Sequence, residues 1–281
     1  MAFNDSDAIF YKLLGHQVDV NLRVFNSEIH CHSLILKIGS AYFRKFLDSA
    51  DKYATPYDPN FKYQYVTIQD DVPSLEVAFK VKARGVKPVE TESFIWYFAV
   101  KSMIDCMYGK PFILGAEDFD LDYITQVADF YARNKTLYKE CMVHVAGRWK
   151  IDRVISKQDK ELRMRVIVAY AGIYEKLDIA NQGILGVMGR QVMNGQHSLA
   201  HKVQHHAMNS TSIASHYRSL YDEGLATWSA EVKSLLKHAM RNKLVLDNSR
   251  HGAGQGKFKD YFLCAKVKDS ELPWNLREED W

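Results

Sequence analysis

The residues whose spacing comes closest to a reactive site are three histidines in the C-terminal half. His197, His201 and His205 recur every fourth residue. If this stretch is helical, the three imidazoles share one face, and an i, i+4 histidine pair is a metal-binding geometry. The H-E-x-x-H motif of metalloproteases would place a glutamate directly after the first histidine, where this chain has Ser198. A metal-dependent enzyme or metal-binding protein is therefore the alternative function, and we assign no metal or cofactor.

Asp19 and His32 have the residue types of a catalytic pair, but the sequence offers no nucleophile with a placed base and oxyanion donors around them. Asp19 begins a predicted strand, and His32 stands where a strand gives way to a helix. We expect these side chains to hydrogen-bond each other or backbone donors and so fix a hairpin to the helix. His30 and His32 share a strand face, but a metal needs two further ligands and Cys31 points the other way. We assign no catalytic residue and predict that the protein is not an enzyme.

The glycine-rich stretch 252–257 looks at first like a phosphate-binding loop. It fits neither G-x-x-x-x-G-K-[ST] nor G-x-G-x-x-G, because His251, Lys257 and Phe258 stand where those motifs need other residues. A flexible linker is the favoured interpretation.

Composition narrows the class of protein. Of 281 residues, 47% are hydrophobic, which is enough to bury substantial cores. A net charge of +3 is too balanced to predict binding to nucleic acid or to an acidic membrane surface. The N-terminus lacks the apolar core of a signal peptide, and no run approaches 18 apolar residues, so we expect no membrane span. The scattered cysteines, with no C-x-x-C pair, favour reduced thiols in the nucleus or cytoplasm; they are Cys31, Cys106, Cys141 and Cys264.

Hydrophobic periodicity predicts an α+β first half. Residues 18–25 alternate apolar and polar side chains, as a half-buried strand does, and Glu28–Cys31 can return as its hairpin partner. A short helix should end at Gly39, and Ser40 should cap the next one. A strand at 65–68, a helix at 75–81 capped by Ser74, and helices at 94–108, 121–131 and 137–149 follow.

The second half is predicted to be almost wholly helical. Helices are expected around 162–177 and 228–243, while the ends of the stretch 183–215 cannot be placed. The predicted organisation is an N-terminal flanking segment, an α+β domain, a helical extension, and a linker with a C-terminal tail; the ranges are 1–17, 18–147, 148–246 and 247–281.

The first half resembles the BTB/POZ family. That family's signature has an Asp-led strand, an apolar residue three before a histidine, an Ile/Val-Leu pair and Ser-x-Tyr-Phe at fixed offsets. The matching segments are 19–24, 29–36 and Ser40, Tyr42 and Phe43, with further likeness at 66–71, 107–109 and 128–141. The resemblance implies a small sheet covered by helices, with Asp19, His32, Ser40, Tyr42 and Phe43 as structural residues.

The chain also departs from the family pattern. Ala41 replaces the usual proline, a threonine between Tyr108 and Gly109 is missing, and about 15–20 extra residues lie near 81–93. Family members that recruit a cullin carry an apolar-x-Glu motif in this region. The glutamates here are Glu76, Glu90 and Glu92, preceded two positions earlier by Ser74, Pro88 and Glu90, so the motif is not matched. We expect no strong cullin binding.

The resemblance implies a protein-interaction module that forms homodimers or hetero-oligomers and acts as an adaptor or scaffold in ubiquitin-ligase or transcriptional assemblies. The C-terminal end, with Leu272–Asn275 and Glu279–Trp281, is similar to that of stand-alone BTB proteins of filamentous fungi, which carry a helical extension. Before the first strand, Ile9, Phe10, Leu13 and Leu14 have helical spacing. We predict that they form an apolar stripe on a short helix that buries itself in a dimer or on its own domain.

Overall fold

The computed structural model describes residues 8–24, 27–49, 58–69, 73–77, 93–110, 134–148, 160–224, 226–247 and 251–274. The chain divides into two compact units, Met1–Tyr138 and Lys139–Trp281. A mixed sheet with helices makes up the first unit, and the second is built mainly of helices. The predicted α+β class is therefore confirmed. The predicted helix at 121–131 and the extra residues at 81–92 lie outside the described residues.

The sheet of the first unit has five strands in the order β1-β3-β2-β4-β5. The central strands β2 and β3 form the predicted antiparallel hairpin, in which Leu22 is opposite Ile29. β2 also pairs in parallel with β4, and β1 pairs in parallel with β3. The strand bounds are β1 Ile9–Phe10, β2 Val20–Val24, β3 Ser27–Cys31, β4 Tyr63–Gln69 and β5 Pro73–Val77.

The alternation of apolar and polar residues along β2 produces the half-buried strand that the sequence predicts. Val20, Leu22 and Val24 are fully buried, whereas Asn21 is half-buried and Arg23 is exposed. Because successive side chains of a strand point to opposite faces, one face of the sheet supplies the core of this unit. A slip of one residue in the pairing would move these three side chains to the other face.

The predicted helix at 75–81 is wrong over its first residues, which form β5. This strand pairs antiparallel with β4, with Ile68 opposite Ser74 and Gln69 opposite Pro73. Only three residues separate the two strands, so a hairpin on the open edge of β4 outweighs the local helix-capping signal of Ser74. β5 is one of the two edge strands of the described sheet, and Pro73 is its first residue, a position where the missing N–H of proline is tolerated.

The described part of the first unit contains three complete helices and the start of a fourth. The predicted buried stripe on the second of them is confirmed, since Phe43, Phe46 and Leu47 are buried. Val100, Met103 and Ile104 are buried on the third helix. The bounds are α1 Ser33–Gly39, α2 Ala41–Asp48, α3 Ser93–Met107 and α4 Lys135–Gly147, of which α4 runs from the first unit into the second.

The second unit is organised around a 34-residue helix, α5. The bounds of its helices are α5 Lys160–Met193, α6 Ser198–Asn209, α7 Ile213–Asp222 and α8 Ser229–Leu236, with short 3₁₀ turns at Gly256–Phe258 and Asp269–Glu271. Helices α6 and α7 fill the stretch whose ends the sequence left open. None of the helices in the described ranges has both the length and the apolar character needed to cross a membrane.

Helix α5 continues 16 residues beyond Leu177, the last apolar residue of the predicted stripe. Its buried face persists at Ile184 and Val187, although three glycines follow at positions 183, 186 and 189. Gly183 has a packing role, because a Cβ there would lie 2.4 Å from Cδ2 of Leu235. The glycine at 183 therefore lets a neighbouring side chain approach the helix closely and does not mark its end.

The predicted flexible linker at 252–257 is wrong, because this stretch and the described residues around it, 251–274, pack into the second unit. Ala253, Phe258, Phe262 and Leu263 are all at most 2% exposed. The glycine-rich turn is held by Arg218, whose Nε donates to the carbonyl oxygen of Ala253 at 2.7 Å. The chain then runs antiparallel to α5. Lys176 of α5 donates to the Cys264 carbonyl oxygen, and Arg165, nearer the start of α5, donates to the later Glu271 carbonyl oxygen. This segment is part of the core of the second unit.

Candidate protein-interaction surface

The N-terminal segment that we predicted as a helix is a strand followed by a tight turn. Ile9 and Phe10 form β1, with Ile9 opposite Ile29 and Phe10 opposite His30. The chain then folds back through a bridge between Leu13 and His16, with Gly15 at a φ of +78°. The helix prediction fails because pairing with β3 supplies backbone hydrogen bonds, such as Tyr11 N–H to His30 O at 2.9 Å, that a short isolated helix could not match.

The strand conformation sorts the predicted interface residues by exposure. Ile9 and Leu13 are half-buried, whereas Phe10 is 54% exposed and Leu14, at the tip of the turn, is 100% exposed. Within the described sheet β1 pairs only with β3. Since Tyr11 directs its N–H toward β3, the backbone polar groups of Phe10 point to the open edge. The N-terminal edge, as we call Ile9–Leu14, thus offers apolar side chains together with backbone groups that no other described strand pairs.

A concave surface of about 820 Å³ adjoins this edge. Its lining includes the edge residues Phe10, Leu13 and Leu14 together with His32 and Phe61. The rings of Phe10 and His30 meet edge-on with 4.5 Å between their centres, and the centres of the His30 and Phe61 rings are 4.7 Å apart. The sequence prediction had singled out the four apolar residues of the edge but had no signal for the cavity beside them.

Tyr11 anchors the edge to the rest of the first unit. It is 1% exposed, and its hydroxyl donates to Asp105 Oδ1 at 2.7 Å. The Lys110 ammonium lies 3.9 Å from the centre of its ring. Burial, followed by the hydrogen bond with Asp105, raises the pKa of the Tyr11 phenol, so it remains a neutral donor. The exposed side chains on either side are therefore presented by a fixed backbone. Sequence reasoning missed Tyr11 because its partner is 94 residues away.

Asp19 is placed against helix α1 and not against His32. Its Oδ1 accepts from the Ser33 backbone N–H at 2.7 Å, and its Oδ2 accepts from the Ser33 hydroxyl at 2.5 Å. The residue that precedes α1, His32, makes no side-chain cap. Asp19 therefore satisfies one of the N–H groups that a helix leaves unpaired at its start, and its negative charge suits that end of the helix.

His32 is held by Tyr108, with which sequence reasoning had not paired it. The Tyr108 hydroxyl accepts from the His32 backbone N–H at 2.8 Å and lies 2.7 Å from Nδ1 of the same residue. The other ring nitrogen, Nε2, lies 3.4 Å from the His16 carbonyl oxygen, so both ring nitrogens of His32 have a partner. An imidazole held at both ring nitrogens suits a structural role. Cys31 beside it is fully buried, and burial raises the pKa of its thiol, which disfavours the reactive thiolate.

Replacing Asp19 with alanine should destabilise the first unit by about 1–3 kcal/mol, because two hydrogen-bond donors at the start of α1 lose a charged acceptor. Hydrogen exchange of peptides covering 18–36 measures the loss. Asp48→Ala is the matched control, since this carboxylate is 58% exposed and pairs with Lys37 on the surface, an interaction worth at most about 1 kcal/mol. Equal protection in the Asp19 variant and the wild type would contradict the structural role.

The remaining signature residues lie around helix α2. Ser40 caps it as predicted, accepting from the Phe43 N–H at 3.3 Å. Phe43 is buried, and the half-buried ring of Tyr42 stacks on Phe46 with 5.0 Å between centres. These three residues stabilise the helix and its packing.

The histidine stretch is helical, as the metal-binding alternative required, and forms most of α6, but its imidazoles do not converge on one site. His197 precedes the helix, and His197, His201 and His205 are all exposed. In the ranges that the structure describes, no group of three or more histidine, cysteine, aspartate or glutamate side chains is arranged to hold a metal ion. The neighbouring His206 instead contacts a carboxylate, with its Nε2 3.1 Å from Oε2 of Glu223. The metal-dependent alternative thus rests on the i, i+4 spacing alone.

Comparison of the chain with protein-family models, curated proteins and solved structures finds no match. The function is therefore argued from the residues and the geometry of the N-terminal edge.

Proposed function

We propose that this protein is an interaction module of the BTB/POZ type that self-associates through its N-terminal edge and serves as an adaptor or scaffold. The observation that carries the proposal is the exposure of Phe10 on an edge strand and of Leu14 on the turn after it, at 54% and 100%, beside a concave surface. An edge strand with exposed apolar side chains is a template for pairing with another chain.

The size of this surface fits a modest dimer interface. If Phe10 and Leu14 each bury roughly 100 Å² in both copies, the apolar burial of about 400 Å² is worth ~10 kcal/mol at ~25 cal/mol per Å². Association costs on the order of 4–15 kcal/mol offset much of this. Leu13 adds less than its type would suggest, because it is already half-buried in the turn. At the lowest association cost about 6 kcal/mol remains, so we expect a reversible dimer that assembles at tens of micromolar.

The order of elements around the edge also supports the proposal. A hairpin, two short helices and a further strand follow one another, the order of elements on which the family resemblance rests, and that strand, β4, pairs in parallel with β2. The residues of the resemblance have structural partners, since Asp19 binds Ser33, His32 binds Tyr108 and Ser40 caps α2. A module of this kind needs no catalytic residue, and its activity is the assembly it directs. Ubiquitin-ligase and transcriptional assemblies are the two partner classes that we propose.

Sedimentation velocity tests self-association. The wild type should be dimeric at tens of micromolar, and Phe10→Asp/Leu14→Asp should be monomeric, because two charges per copy would enter an apolar contact. Met193→Asp/Met208→Asp is the matched control, since these side chains of the second unit are 88% and 76% exposed. It should remain dimeric. A monomeric wild type, or a dimer untouched by the Phe10/Leu14 change, would refute the interface.

A further inference from the structure

Four basic side chains come together on the second unit. Lys176 of α5 donates from Nζ to the Cys264 carbonyl oxygen at 3.0 Å, and the Lys243 backbone N–H donates to the Leu263 carbonyl oxygen at 2.8 Å. Lys266 lies two residues beyond Cys264, about 7 Å along an extended chain. Arg241 lies the same number of residues before Lys243. Three separate parts of the sequence thus contribute to what we call the basic cluster: Lys176, Arg241, Lys243 and Lys266.

The charges of the basic cluster are not neutralised by the described part of the protein. Among the described residues, no carboxylate lies within ion-pair distance of its four members. Other cations of the same unit are paired, as Lys257 is with Asp247 and Lys268 with Glu271. Burial and then the positive charges of the other three members lower the pKa of Lys243. Lys243 is therefore close enough to be repelled by the other three cations, and an anion would relieve that repulsion.

Exposed apolar side chains flank the basic cluster. Ile179 is 60% exposed and lies one helical turn after Lys176 on α5. Val245 is 70% exposed and lies two residues after Lys243. A ligand that carries both negative charge and apolar groups would complement this surface better than a purely ionic one.

We propose that the basic cluster binds an acidic segment of a protein partner, whose aspartate or glutamate carboxylates meet the four cations while an apolar side chain contacts Ile179 or Val245. Nucleic acid fits less well, because its binding proteins usually make about 6–10 phosphate contacts and this cluster offers four cations. This site is independent of the N-terminal edge, since all of its residues belong to the second unit.

Fluorescence anisotropy with a labelled peptide tests the proposal on the full chain. The probe is a synthetic peptide of four glutamates flanked by leucines. We expect saturable binding that weakens as ionic strength rises, because exposed charge pairs are screened over about 8–10 Å. Arg241→Glu/Lys266→Glu should weaken binding by about tenfold or more, since two attractions become repulsions. Both side chains are exposed, so folding should be unaffected.

The matched control is Lys160→Glu/Lys259→Glu, which changes the net charge equally at two exposed lysines outside the basic cluster. It should bind the peptide within about twofold of the wild type, as expected for a specific site. Three results would overturn the proposal. They are no binding at about 100 μM peptide, equal loss in both double variants, or tighter binding of a 20-base-pair DNA duplex that Arg241→Glu/Lys266→Glu abolishes.

Discussion

Gly147→Ala should destabilise the second unit by about 3 kcal/mol or more. A Cβ at this position, at the end of α4, would lie 1.8 Å from the carbonyl oxygen of Phe262 and 2.9 Å from its carbonyl carbon. Both obstacles are backbone atoms, so no side-chain rotation can relieve the overlap. The same two residues are joined by a hydrogen bond from the Phe262 N–H to the Gly147 oxygen at 3.0 Å. The methyl group would therefore separate α4 from the C-terminal segment and also weaken this bond.

Urea denaturation followed by tryptophan fluorescence measures the effect, because Trp228 and Trp274 are buried in the second unit. Gly172→Ala on α5 is the matched control, since no atom lies within 4 Å of the added Cβ. It should stabilise the protein by about 0.5–1 kcal/mol through the better helix propensity of alanine. A Gly147 variant within about 0.5 kcal/mol of the wild type would show that the two backbones are not in close contact.

Features that depend on neighbours in sequence could be predicted. The alternation Val20, Leu22 and Val24 placed β2 and its buried face, because a strand's period of two is written into adjacent residues. Ser40 could be predicted as a helix cap because its side-chain oxygen accepts from the N–H of Phe43, only three residues away. The apolar residues Phe10 and Leu14 were found, although their helical spacing gave the wrong element.

Features that depend on partners distant in sequence could not be predicted. Phe10 lies on an edge strand because β1 pairs with β3. No residue near Phe10 in the sequence predicts that pairing. The glycines of the 252–256 turn were misread, and Gly183 lay in a stretch whose ends could not be placed, because the local signal of glycine is flexibility. The structure instead uses Gly183 to admit Leu235, and it buries Ala253 within the glycine-rich turn. The basic cluster was invisible for the same reason, since its members span 90 positions, from Lys176 to Lys266.

A buried histidine should make the stability of the second unit depend on pH. His144 is fully buried on α4, with its ring centre 5.7 Å from that of Phe258. Burial, and then the positive charge of Arg148, lower the pKa of His144 to about 3. In the unfolded chain the imidazole has a pKa of about 6.5. Below pH 6.5 the unfolded state therefore binds a proton that the folded state does not take up until about pH 3.

The sign of the effect follows from this depressed pKa. The stability contributed by neutral His144 is fully present above about pH 6.5 and is lost as the pH falls toward the folded pKa of about 3. The slope approaches 1.4 kcal/mol per pH unit, so the free energy of unfolding should drop by about 2 kcal/mol between pH 7 and pH 5. Burial also lowers the pKa of His216, so the wild-type slope contains both histidines.

The difference between His144→Leu and the wild type isolates the contribution of His144. The leucine variant keeps an apolar side chain of similar volume in the core, and its stability should fall less between pH 7 and pH 5, by about 2 kcal/mol. His238→Leu, at an exposed position of the same unit, should retain the full wild-type slope. Urea denaturation at half-unit pH steps gives each curve. Parallel curves for the wild type and His144→Leu would mean that His144 takes up its proton in the folded protein, which its full burial argues against.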